Sequence, residues 1–179
     1  MLERKDDSLE RTSMKRIHII GNKNNGKTTL VLDILHECNR RGLKVGTVKH
    51  THHTHELDTP GKDSYRHREA SGRQAAIISK DLTAVYLQTE RLGDPYETLA
   101  PFYADCDFVV VEGNRGTSAP KVEVWREETG RDPLAFQYEG VLAMITDDAC
   151  PVELPVWPRK DITVIVDEIL SLLEKVYSS

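Results

Sequence analysis

Gly21-Asn22-Lys23-Asn24-Asn25-Gly26-Lys27-Thr28, followed by Thr29, decides how this chain reads. It fits GxxxxGK[ST] without a gap, and each fixed position has a chemical duty. The two glycines let the backbone turn tightly and bring its amides toward phosphate oxygens. A helix starting at the end of the loop aims its unpaired N–H groups at the same oxygens. Lys27 offers an ammonium to the β- and γ-phosphates, and the Thr28 hydroxyl is a ligand for Mg2+. The flanks agree. Ile17, Ile19 and Ile20 form a β-branched run that ends at Gly21 and reads as a buried strand. Leu30, Val31, Ile34, Leu35 and Cys38 recur at helical spacing between about Lys27 and Arg41, and Gly42 is a stop.

Outward from this unit, strands and helices alternate. Leu43–Val48 is a second strand, and the strand–helix–strand order favours a right-handed parallel connection. His50–Asp63 is polar, carries Pro60-Gly61, and reads as a long loop before a helix over Ser64–Gly72. Ala75–Ser79 and Thr83–Gln88 are strand candidates around Lys80-Asp81, and Asp94-Pro95 opens a helix to about Tyr103. Asp107–Val111 is a strongly apolar strand ending at Glu112-Gly113, and Val122, Val124 and Trp125 suggest another. Residues 127–140 read as a connection or an extra hairpin, Val141–Ile145 as a strand, and Pro155-Val156-Trp157 as a short last one. Asp161 caps a final helix with Ile162, Ile165, Ile169, Leu172, Leu173 and Val176 on one face. The pattern is α/β: a three-layer phosphate-loop NTPase fold with a mostly parallel sheet and an antiparallel or hairpin extension. Residues 1–14 are charged and read as a disordered tail, and 15–179 as a single domain.

A Mg2+-dependent site needs a second carboxylate. In an open parallel sheet ligands gather at the carboxyl ends of strands. Glu112 ends its strand on that edge, whereas Asp107 begins it at the opposite one, so Glu112 is the expected partner of Thr28. Asp58, in the loop after the second strand, is a further candidate for the metal or an attacking water. Lys49-His50-Thr51-His52-His53-Thr54-His55 packs four of the seven histidines together. It reads as a transition-metal site, an anion- or partner-binding loop, or a solvated polar loop, and its spacing is not that of a zinc finger. Lys62, Asp63 and Arg66 follow, with Arg68 and Arg73, as candidates to clamp a second phosphorylated ligand. Asp147 stands after the Val141–Ile145 strand, either as an acceptor for guanine N1 and N2 or as a turn residue. The NKxD guanine motif is absent from the sequence.

With 179 residues the chain can bury roughly 70% of its unfolded surface. Its three cysteines, odd in number and widely spaced, argue against a disulfide framework and for a reducing compartment. A net charge of −5 argues against coating nucleic acid or an anionic membrane, and the apolar runs are too short for a transmembrane helix. The average hides a division. Residues 44–80 hold seven basic against four acidic side chains, with five histidines besides.

Taken together these motifs resemble the MobB-type family, molybdopterin-guanine dinucleotide biosynthesis protein B. The likeness lies in Gly21–Thr29, Lys49-His50-Thr51-His52-His53, Asp58-Thr59-Pro60-Gly61-Lys62-Asp63-Ser64 and Val111-Glu112-Gly113, with Pro120-Lys121 and Arg126 in agreement. The resemblance implies a cytoplasmic, homodimeric GTP-binding protein with weak Mg2+-dependent GTPase activity. It would assist a molybdopterin guanylyltransferase that attaches GMP to molybdopterin. GTP over ATP rests on this resemblance. Lys27, Thr28, Glu112 and Asp58 would be its catalytic residues. Lys49, His50, His52, His53, Lys62, Asp63 and Arg66 would face the pterin phosphate or the partner enzyme. Asn114-Arg115 departs from the aromatic residue and lysine common in the family after Glu-Gly, and Asn25 replaces a common small residue. A different reading is a metallochaperone NTPase using His50–His55.

Overall fold

A computed structural model describes residues 14–178 of the chain. Of the expected N-terminal tail, residues 1–13 lie outside the described residues, and Met14 is buried. The described residues divide into two compact units, one formed by residues 14–51 with 102–178 and the other by 52–101.

The first unit is built on a six-stranded sheet. Its strands are β1 (Arg16–Ile20), β2 (Val45–Lys49), β5 (Phe108–Glu112), β6 (Lys121–Val124), β7 (Val141–Ile145) and β8 (Val156–Trp157). They pair in the order β2-β5-β1-β6-β7-β8, every pair parallel. β1 and β2 therefore run parallel without touching, because β5 lies between them. β1 and β5 are nearly continuous apolar runs because both of their faces are covered. Side chains alternate across the pleat. Ile17, Ile19, Phe108, Val110, Val122 and Val124 pack with Leu30, Ile34 and Cys38 of helix α1 (Lys27–Arg40) and with Ile165, Ile169 and Leu173 of helix α4 (Ile162–Tyr177). Ile20, Trp125 and Met144 point the other way, into a smaller cluster with Leu134 and Val141.

Glu37 ties the helix layer together. Its carboxylate takes hydrogen bonds from Arg40 and Arg41, which hold its pKa down to about 2, and Arg41 reaches on to Asp167 of α4. α4 is capped by Asp161, whose side chain accepts from Val164 N at 3.2 Å.

The second unit holds α2 (Asp63–Ser71), the antiparallel pair β3 (Ala75–Ile78) and β4 (Thr83–Tyr86), and α3 (Pro95–Leu99). Ser79 closes the β3–β4 turn through a 2.8 Å bond from its N–H to Leu82 O. This pair is the hairpin extension expected beside the parallel sheet.

Some boundaries shift, each for a visible reason. β2 starts at Val45 rather than Leu43 because the Lys44 N–H is taken by the Asp107 carboxylate at 2.7 Å. That bond also fixes Asp107 at the edge opposite Glu112. The helix opened by Asp94-Pro95 ends at Leu99 and gives way to a 3-10 turn over Ala100–Tyr103, where Pro101 has no N–H to continue it. Residues 127–140 form no hairpin. They make 3-10 turns at Glu127–Thr129 and Leu134–Phe136, because the buried Glu123 carboxylate collects the N–H groups of Leu134 and Ala135.

Candidate functional site

The phosphate loop connects β1 to α1 at the carboxyl edge of the sheet. Gly21 passes so close to β6 that a Cβ there would lie 2.4 Å from Val124 O. Asn24 and Gly26 take positive φ of 72° and 85°, so the loop curls back into the helix start. Gly26 is the N-cap of α1 and offers no side chain to it, and the first turn has no acidic residue. By contrast with α4, the opening amides of α1 are left for an external acceptor. Lys27 Nζ donates to Gly21 O at 2.9 Å and to Asn22 O at 2.8 Å, which arches the side chain back over the loop. Burial lowers its pKa from the usual lysine value, while Glu112 pulls the other way.

Two chain segments converge on Glu112. Thr28 Oγ1 donates to its carboxylate at 2.9 Å, Lys49 Nζ stands 3.8 Å from Oε1, and the His50 N–H bonds Glu112 O at 2.9 Å. The next residue must be glycine. Gly113 has φ 98°, and a Cβ there would lie 2.6 Å from His50 O. A hydroxyl, a carboxylate and uncapped helix amides form a suitable donor set for a nucleotide phosphate with Mg2+, which Thr28 and Glu112 would hold.

The loop is walled on its other side by the segment after β6. Asn22 Nδ2 donates to Asp132 O at 3.1 Å, and Trp125 Nε1 donates to Arg131 O at 2.8 Å. Arg126 lies against the loop, with Nη2 3.1 Å from where a Cβ on Gly26 would sit. Asp148 accepts from Glu127 N at 2.9 Å, joining this segment to the turn after β7. In that turn Asp147 accepts from Lys160 N at 3.2 Å, so its carboxylate braces a neighbouring loop at the same edge.

The other expected residues belong to the second unit. Asp58 accepts from Thr59 N at 2.7 Å and Ser64 Oγ at 3.1 Å, organising its own loop ahead of α2. Lys62 is the N-cap residue of α2, and Asp63 pairs loosely with Arg66 at 3.7 Å on its exposed surface. Arg68 is drawn into the unit by Glu56 at 2.7 Å and lies over the Tyr65 and Tyr86 rings. His53 and His55 meet edge to face with ring centroids 6.2 Å apart. Among the described residues no three His, Cys, Asp or Glu side chains gather to hold a metal ion. No helix among them is long and apolar enough to cross a membrane.

Two residues next to the site escaped the sequence reading. His18 is fully buried, with Nδ1 3.1 Å from Gly113 O, so β1 holds the turn that follows Glu112. Burial lowers its pKa to about 4. Glu123, also fully buried, fixes the wall of the phosphate loop as described. The signal for both was a polar residue inside an apolar strand run.

Comparison with known proteins agrees with this architecture. The family model for MobB, molybdopterin guanine dinucleotide synthesis protein B, matches residues 16–147. A molybdopterin-guanine dinucleotide biosynthesis adapter protein of Haemophilus influenzae is 31% identical over 135 residues, 72% of either chain. The protein of the same description from Escherichia coli is 27% identical over 84% of this chain and 88% of its own. The crystal structure of Bacillus subtilis MobB superposes with a TM-score of 0.66 at 26% identity, covering 87% of this chain and 96% of that one.

Proposed function

The chain belongs to the MobB family, and from that premise we propose that it is a GTP-binding adapter for the guanylyl transfer that makes molybdopterin guanine dinucleotide. One observation carries the reading: an uncapped helix start, an anchored Lys27 and a Thr28–Glu112 pair meet at one point of the sheet edge. Backbone amides from Asn24 to Thr29 bind phosphate oxygens, and Lys27 neutralises their charge. Mg2+, when bound, screens the phosphates and polarises the terminal one. Glu112 and Thr28 orient that end of the site, and any hydrolysis there is weak, as in the family reading. Lys49 and His50 stand beside Glu112 as the edge that faces molybdopterin phosphate or the guanylyltransferase. We place the protein in the cytoplasm as a homodimer. Its apolar contact would be the β3–β4 hairpin, where Ile78, Leu82 and Val85 are exposed.

The deciding experiment is nucleotide competition. Labelled GTP should be displaced by GTP and GDP far better than by ATP, and Lys27→Ala should lose binding. Adding the protein with GTP to a molybdopterin guanylyltransferase should raise dinucleotide formation. Equal displacement by ATP would remove the guanine preference, and full affinity in Lys27→Ala would remove the site.

A further inference from the structure

We propose that Arg126 is a phosphate-binding arginine supplied in cis, closing on the phosphate chain of the nucleotide held by Gly21–Thr28. The inference rests on the nucleotide reading above. Arg126 follows β6, the strand beside β1, and its guanidinium lies on Gly26, the residue before Lys27. A Cβ on Gly26 would stand 3.1 Å from Nη2, a tight contact that measures how closely the guanidinium lies on the loop.

The backbone around Arg126 is held, while its side chain is not. Arg126 O accepts from Thr129 Oγ1 at 2.9 Å, the Glu127 N–H is tied to Asp148, and Asp132 O is tied to Asn22 of the loop itself. The Arg126 side chain is 39% exposed, and its ion pair is with Glu128, whose side chain is 72% exposed, at 3.1 Å. An exposed pair of this kind is weak and screened by solvent, so a phosphate displaces the carboxylate at little cost. Among the described residues Nη2 has no hydrogen-bond acceptor, so one terminal nitrogen already faces the loop with its protons unused. A planar guanidinium beside amides that cradle phosphate provides the bidentate geometry that phosphate oxygens accept.

The test compares wild type, Arg126→Ala, Arg126→Lys and Lys27→Ala by titration with GDP and GTP, alongside thermal melting of the nucleotide-free proteins. Arg126→Ala should bind both nucleotides roughly 10- to 100-fold more weakly, with an unchanged melting temperature. Arg126→Lys should recover part of the loss. Affinity equal to wild type in Arg126→Ala, with Lys27→Ala inactive in binding, overturns the role of Arg126 and leaves the nucleotide site standing. A loss matched by a lowered melting temperature and not eased by lysine makes Arg126 structural and overturns it too. Wild-type protein that binds neither nucleotide overturns both readings.

Discussion

Thr28 Oγ1 lies 2.9 Å from one carboxylate oxygen of Glu112 and 3.1 Å from the other. The hydroxyl comes from the start of α1 and the carboxylate from the end of β5. Their meeting depends on β5 pairing with β1 in the register that sets Ile19 against Glu112. A hydroxyl and a carboxylate already in contact need little rearrangement to share a cation. Glu112→Gln keeps the shape and an acceptor for Thr28 but removes the charge. The tightening of GTP binding by Mg2+ should fall about 10- to 100-fold, while binding in EDTA stays near wild type. Titrations with and without Mg2+ read this directly, and an undiminished Mg2+ effect would free Glu112 of the role.

Gly21 and Gly130 are glycines for different reasons. Both have positive φ, 152° and 62°, but only Gly21 has an obstacle, Val124 O at 2.4 Å from the added Cβ. Gly130→Ala should cost about 1 kcal/mol, the ordinary penalty of a left-handed alanine. Gly21→Ala should cost about 2–3 kcal/mol, because a φ of 152° lies outside the left-handed well open to alanine and β6 must also move. Urea denaturation of the two variants gives the comparison, and equal losses would show that neither the β6 contact nor the φ of Gly21 adds strain.

The sequence made legible what short-range chemistry determines. The β-branched run into Gly21, the helical spacing from Leu30 to Cys38 and the caps Asp94 and Asp161 all stand where local pattern put them. Glu112 was legible as well, because a strand end on a parallel sheet can lie at only one of two edges. What stayed hidden depends on strand order. Arg126 reaches Gly26 only because β6 pairs with β1. The turns at 127–136 replace a hairpin because a carboxylate 11 residues upstream claims the Leu134 N–H.

His18 makes the first unit sensitive to acid. Its pKa falls from 6.5 to about 4 on folding, chiefly through burial. The folded state therefore favours the neutral ring. The stability this gives is fully present above the unfolded pKa and is lost as pH falls from about 6.5 toward 4. A shift of this size corresponds to about 3 kcal/mol. His18→Gln keeps a donor for Gly113 O without a titrating ring. It should flatten the stability profile across that window in urea melts at pH 7, 5.5 and 4. A wild-type profile already flat there would mean that His18 is not held neutral.

The β3–β4 pair cannot be stable by itself. Two strands in water bury too little, and their edges invite another chain. Register places Ala76 opposite Val85 and Ile78 opposite Thr83, so these four share one face of the ribbon. That face is the exposed one, with Ile78 at 80% and Val85 at 49%, and Leu82 in the turn adds 74%. A second copy of the chain would cover it with the same apolar face, as a two-fold contact requires. Ile78→Lys with Val85→Lys places four like charges across such a contact. If the proposed dimer forms through this face, wild type should run as a dimer in light scattering and the double variant as a monomer, with a lowered melting temperature because the ribbon loses its cover. Wild type measured as a monomer at tens of micromolar would overturn the dimer, and a double variant that stays dimeric would move the contact away from this hairpin.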